Sequence, residues 1–147
     1  MGHSTFSQKY NGRFTSTLRW SQLDDLWTKL RAQPEGWYAY FVSESLPEAP
    51  LDSQALDRFI AEVDALLRKD HQHDYCGIVY ADSLEKPAMI KIYDPNNLGA
   101  SCGSSGVKVH PRWLLSQIPP EAIIDDAPTP MNHKRWWQKI FHSSEHA

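Results

Sequence analysis

One stretch of this chain admits a single kind of local structure. Between Asp52 and His71 the apolar residues Leu56, Phe59, Ile60, Val63 and Leu67 recur at the spacing of one face of an α-helix. Asp52 stands where a helix cap belongs, and Leu51 and Leu56 flank it as the two halves of a hydrophobic staple. Arg68, Lys69 and His71 fall at the far end, where positive charge meets the helix dipole favourably. A helix with one apolar stripe is half a structure. It needs a second layer to bury that stripe, so the rest of the chain must supply one.

Part of that layer is a second helix. Leu23, Leu26, Trp27 and Leu30 form another stripe, with Ser21 expected as the N-cap, Asp24 three residues on, and Pro34-Glu35-Gly36 as the stop. The remainder reads as strand. Trp37–Val42 is dense in aromatic and β-favouring residues on both faces, which suits a central strand. Tyr75–Ala81 and Ala88–Asp94 follow, joined closely enough for a hairpin, and Arg112–Ile118 before Pro119-Pro120 reads as a fourth strand. Residues 4–19 are polar, with a turn at Asn11-Gly12 and an extended run Arg13–Leu18 fit for a short edge strand. The expected fold class is α+β: a small, mostly antiparallel sheet of about three to five strands, with two main helices on one face and a short C-terminal helix.

A length of 147 residues gives one domain with room for a core without staples. That domain is expected over residues 4–126. At Ala127 the composition changes: Pro128-Thr129-Pro130 makes a stiff spacer, and 127–147 reads as a linker with a short amphipathic segment. Two cysteines make no disulfide framework, and no apolar leader or membrane-length run is present. A cytoplasmic location is therefore expected. A net charge of −3 gives no general attraction to nucleic acid or to an anionic membrane.

Several motifs invite a chemical reading. Gly99-Ala100-Ser101-Cys102-Gly103 matches the G-x-S-x-G elbow of serine hydrolases by letter. The elbow's chemistry requires a strained strand-to-helix turn, and Val107-Lys108-Val109 followed by Pro111 is no helix start. A P-loop fails as well, for want of Gly-Lys-Ser/Thr. The run from Pro95 to Pro111 is nonetheless long for a connection inside a compact domain, and such loops are commonly functional or mobile. Asp94, Asn96, Asn97, Ser101 and Cys102 are its ligand candidates, with His110 the histidine nearest the thiol. His71-Gln72-His73-Asp74 reads better as a polar helix end than as a metal site, and Cys76 as a small buried hydrophobe inside a strand. No cofactor or metal is expected.

Six tryptophans are many for this length, and they signal an aromatic core or a recognition surface. Trp136, Trp137 and Phe141, ringed by Lys134 and Arg135, form the feature least like ordinary core. A basic aromatic helix docks in a partner's groove, and one so short makes no stable membrane anchor. The expected function is thus a small non-catalytic accessory protein that binds a protein partner through these residues. The alternative is a small-ligand binder or thiol-dependent enzyme working at the loop around Cys102. A chain ending at Asp126 should keep its thermal midpoint within a few degrees of the full chain's, because surface elements add little to a core. A fall of roughly 10 °C or more in scanning calorimetry would place the C-terminal segment in the core instead.

Overall fold

The computed structural model of the chain describes residues 6–71, 74, 76–95 and 110–123. Their elements run α1 (Phe6–Tyr10), β1 (Thr15–Ser16), α2 (Trp20–Ala32), β2 (Tyr38–Phe41), α3 (Ser53–Asp70), β3 (Val79–Ala81), β4 (Met89–Ile92) and β5 (Trp113–Ser116). The strands form one five-stranded sheet in the order β1-β3-β4-β5-β2, and every neighbouring pair is antiparallel. The fold is α+β.

α3 forms where its stripe requires. Asp52 sits in extended backbone just before it and accepts a hydrogen bond from Ala55 N at 2.7 Å, closing one of the four unpaired donors of the first turn. Leu56, Phe59, Ile60, Val63 and Leu67 are fully buried, and Leu51 packs against the same cluster. Enclosing a side chain of this size is worth about 1.5–3 kcal/mol each, far more than the cap.

α2 begins earlier than its sequence suggests. The N-cap is Arg19, not Ser21, and Ser21 lies inside the first turn. Arginine has no acceptor to offer, so the cap works in reverse: Gln22 Oε1 accepts from Arg19 N at 2.9 Å. The earlier start makes Trp20 helical. Its ring then lies edge-on to His71 and beneath the Arg68 guanidinium, 4.8 Å away, which joins the start of α2 to the end of α3. After the helix, Gly36 takes a φ of +85°, a left-handed turn that glycine adopts without penalty.

The helices α2 and α3 cover one face of the sheet, against Ala39, Phe41, Val79, Ile90, Ile92, Trp113 and Leu115. The opposite face is also buried. Tyr40, Met89 and Leu114 alternate with the first set along their strands and pack with Val42, Ile123, Phe6 and Tyr10. The last two belong to α1, a short helix within a segment that reads as polar and irregular. Phe6 and Tyr10 lie one turn apart and so share a face. The expected Asn11-Gly12 turn ends the helix, with Asn11 N and Nδ2 both donating to Ser7 O.

The strands are shorter than the runs that announced them. β1 occupies the middle of Arg13–Leu18, with Thr15 opposite Ala81 and Ser16 opposite Tyr80. Cys76 precedes β3 instead of lying in it, yet its N–H donates to Leu18 O and its side chain is fully buried, as expected of a small hydrophobe. Asp82 shapes the β3–β4 hairpin: Oδ1 accepts from Ser83 N, Ala88 N and Met89 N, while Oδ2 meets Lys9 Nζ at 3.1 Å. At the end of β2, Glu44 N donates to Phe41 O around Ser43, whose φ of +76° is the type II position that favours glycine. Among the described residues no helix is long and apolar enough to cross a membrane.

The core residues read from the helix faces and strands are buried: Leu26, Leu30, Phe59, Ile60, Val63, Ile78, Ile90 and Ile92 are each at most 3% exposed. Phe59→Ala should accordingly destabilise the chain by about 3–5 kcal/mol in urea unfolding, as for a fully enclosed aromatic. The same change at exposed Arg58 next to it should stay within about 0.5 kcal/mol.

Candidate functional site

Residues 96–109, which lie outside the described residues, separate β4 from β5 in the sequence, and the described groups on either side of them are unusual. Asp94 and Arg112 face each other there with both side chains 1% exposed, Arg112 Nε lying 4.0 Å from Asp94 Oδ2. That is ion-pair distance, well beyond the roughly 2.7–2.9 Å of a charge-assisted hydrogen bond. Main-chain bonds hold the arginine in place, since Arg112 N donates to Ile92 O and its carbonyl accepts from Val42 N. The guanidinium also lies 5.9 Å from the Phe41 ring centroid. Burying two charges costs several kcal/mol for each, which their mutual attraction and further hydrogen bonds have to offset.

A second polar group adjoins the same ends. Tyr10 OH and His110 Nδ1 are 2.6 Å apart with their rings stacked, tying α1 to the residue where the chain re-enters. Lys91 Nζ lies 4.2 Å from the Tyr10 ring centroid and 4.0 Å from that of Phe14. Tyr93, edge-on to Tyr80, has its phenol pushed above the usual tyrosine range, first by burial and then by Tyr80. Three separate chain segments thus bring a carboxylate, a guanidinium, an imidazole, a phenol and an ammonium to one end of the sheet.

Asp94 is the one ligand-loop candidate from the sequence that lies among the described residues. Asn96, Asn97, Ser101 and Cys102 lie outside them, as do Lys134, Arg135, Trp136, Trp137 and Phe141, and with them the 127–147 segment and its short helix. Sequence reasoning missed Arg112, Tyr10 and Lys91. Arg112 opens an apolar run and reads as its polar boundary, and Tyr10 stands in a segment without periodicity.

The remaining motifs resolve into structure. His71 is the C-cap of α3, and its buried Nε2 donates to Cys76 O at 2.9 Å, which suits the helix-end reading. Cys76 Sγ accepts from Thr17 Oγ1 at 3.4 Å. Asp64 accepts from Trp27 Nε1 and pairs with Arg68, which also reaches Asp24. Among the described residues no group of His, Cys, Asp and Glu is placed to hold a metal ion.

At the opposite end of the sheet lies a concavity of about 640 Å³. The end of α2 forms one wall, the β3–β4 hairpin another, and Trp37 and Gln117 lie between them. Its size suits a small molecule.

No protein-family model, curated protein or solved structure matches this chain.

The pair at the loop ends has a measurable signature. Asp94→Ala leaves the Arg112 charge buried without its carboxylate and should cost about 3–5 kcal/mol, whereas replacing both residues by apolar ones of similar volume should cost much less. Urea unfolding of both single variants and the double variant measures the coupling. A loss under about 1 kcal/mol for Asp94→Ala would mean that the charges are solvated and not a buried pair.

Proposed function

We propose that this chain is a small binding protein, and that it takes a polar small-molecule ligand where the 95–109 connection meets the sheet. The observation that carries this reading is the buried Asp94–Arg112 pair, set beside the Tyr10–His110 contact. Charged and hydrogen-bonding groups are costly to bury, and ligand sites are where a protein gains most from holding them in fixed positions. The connection's own sequence adds small side chains and hydrogen-bonding groups at Asn96, Asn97, Ser101 and Cys102.

A protein partner docked on Trp136, Trp137, Phe141, Arg135 and Lys134 draws its support from sequence alone. The aromatic excess that first suggested a recognition surface goes largely into the core among the described residues. Trp27, Trp37 and Trp113 are buried there and Trp20 is half-buried, while the exposed large hydrophobics are Leu18 and Leu46. Thiol chemistry at Cys102 is a special case of the loop site, and one substitution separates it from plain binding.

The test is a thermal-shift screen of polar metabolites against the full chain, followed by the same titration on an Asn96→Ala/Asn97→Ala variant. A ligand present at 100 times its Kd adds about 2.7 kcal/mol and should raise the midpoint by several degrees. The double variant should lose that shift while its ligand-free midpoint stays the same. Cys102→Ser should leave the shift intact if the site only binds. A ligand whose shift survives the double variant binds elsewhere, and the loop-end reading falls.

A further inference from the structure

We infer that the concavity at the other end of the sheet is a binding site for a small organic anion, a carboxylate or phosphate carried on an apolar body. This stands apart from the loop-end reading, since it uses no residue of that site.

The lining divides into a cationic rim and an apolar floor. Lys29 comes from the last turn of α2 and Lys86 from the β3–β4 hairpin, and both border the cavity. Among the described residues neither ammonium takes part in an ion pair, although Lys9, Arg31, Arg68 and Arg112 all do. Two lysines face a single lining carboxylate, Glu85. In a chain whose net charge is −3, that excess of positive charge in a concave place is a local reversal of sign.

The positions are held. Lys29 Nζ donates to Leu84 O, which brings the α2 side chain over to the hairpin and leaves two of its three N–H donors for a ligand. Lys86 N donates to Ser83 Oγ, fixing the hairpin main chain from which the second ammonium extends. The floor is buried Leu30 and Trp37, and the Trp37 indole is anchored by its Nε1 donating to Gln33 O. Pro87 and Ala88 continue the apolar surface along one wall, and the Gln33 and Gln117 carboxamides add polar groups at the edge. A bare inorganic ion would leave the half-buried Pro87 and Ala88 surfaces unused, and an uncharged apolar molecule would leave two ammonium groups idle. An anion with a flat or aliphatic body uses both.

The test titrates the full chain with naphthalene-2-carboxylate, 2-naphthyl phosphate and the uncharged naphthalene-2-carboxamide, followed by ¹H–¹⁵N NMR. Both anions should shift the Trp37 indole and the amides of Gln33, Lys86 and Gln117 with one common Kd, and the tighter of the two identifies the headgroup. Lys29→Gln and Lys86→Gln should each weaken the anions by about tenfold, as for loss of a hydrogen bond to a charged group, and should leave the carboxamide unchanged. Both side chains are exposed, so the variants should unfold at the parent temperature. Equal affinity for anion and carboxamide, no response at the Trp37 indole, or anion binding that survives the double Lys29→Gln/Lys86→Gln variant overturns the inference.

Discussion

β5 is the strand on which the rest of the molecule closes. It lies between β4 and β2, pairs with both, and all four of its residues are buried. Trp113 and Leu115 meet the helix layer, while Leu114 meets the layer formed by α1 and the 118–123 segment. Burial on both faces leaves this strand no solvent side, and for that reason its sequence shows an apolar run without alternation. Without it β2 has no partner among the described strands, and α2 and α3 lose much of the surface that justifies their stripes.

The two ends of the sheet are finished in opposite ways. At the hairpin end one carboxylate, Asp82, satisfies three main-chain donors and an ammonium, so the turn is both tight and electrically balanced. At the other end the charges of Asp94 and Arg112 are sunk into the protein beside aromatic rings. Asp82 offsets its desolvation with four hydrogen bonds. The Arg112 Nε–Asp94 Oδ2 contact is longer, at 4.0 Å, and both side chains are sunk almost completely.

What could be read from the sequence follows from the range of the forces involved. α3 was legible because its period, its cap and its staple all lie within one segment and agree. β5 was legible as an apolar run before a double proline, though not its place in the sheet. α1 was not, since a five-residue helix has no period to detect and exists because Phe6 and Tyr10 find the far face of the sheet. The start of α2 was misplaced for a related reason: Ser21 is the better cap by type, but the Trp20 contacts with Arg68 and His71 are tertiary and move the boundary. Of the charged and polar groups at the loop ends, Asp94 and His110 were visible in the sequence. Arg112, the partner of Asp94, was not, because a contact across the ends of two strands leaves no mark on local spacing.

The strand order has a consequence for how the chain comes to be folded. Tyr38 pairs with Ser116 and Phe41 with Trp113, so among the described strands β2 waits for β5, more than 70 residues later in the chain, before it gains a neighbour. The α2–α3 pair can dock as a local unit, and the β3–β4 hairpin can close by itself, but neither completes a sheet. Non-local pairing of this kind slows folding, since a long loop must be closed before any contact offsets its entropy. On a ribosome the aromatic strand Tyr38–Phe41 would emerge long before Trp113–Ser116, and for that interval it is an unpaired, apolar edge. The chain is therefore most open to misassociation while it is still being made, until Trp113–Ser116 inserts between β4 and β2.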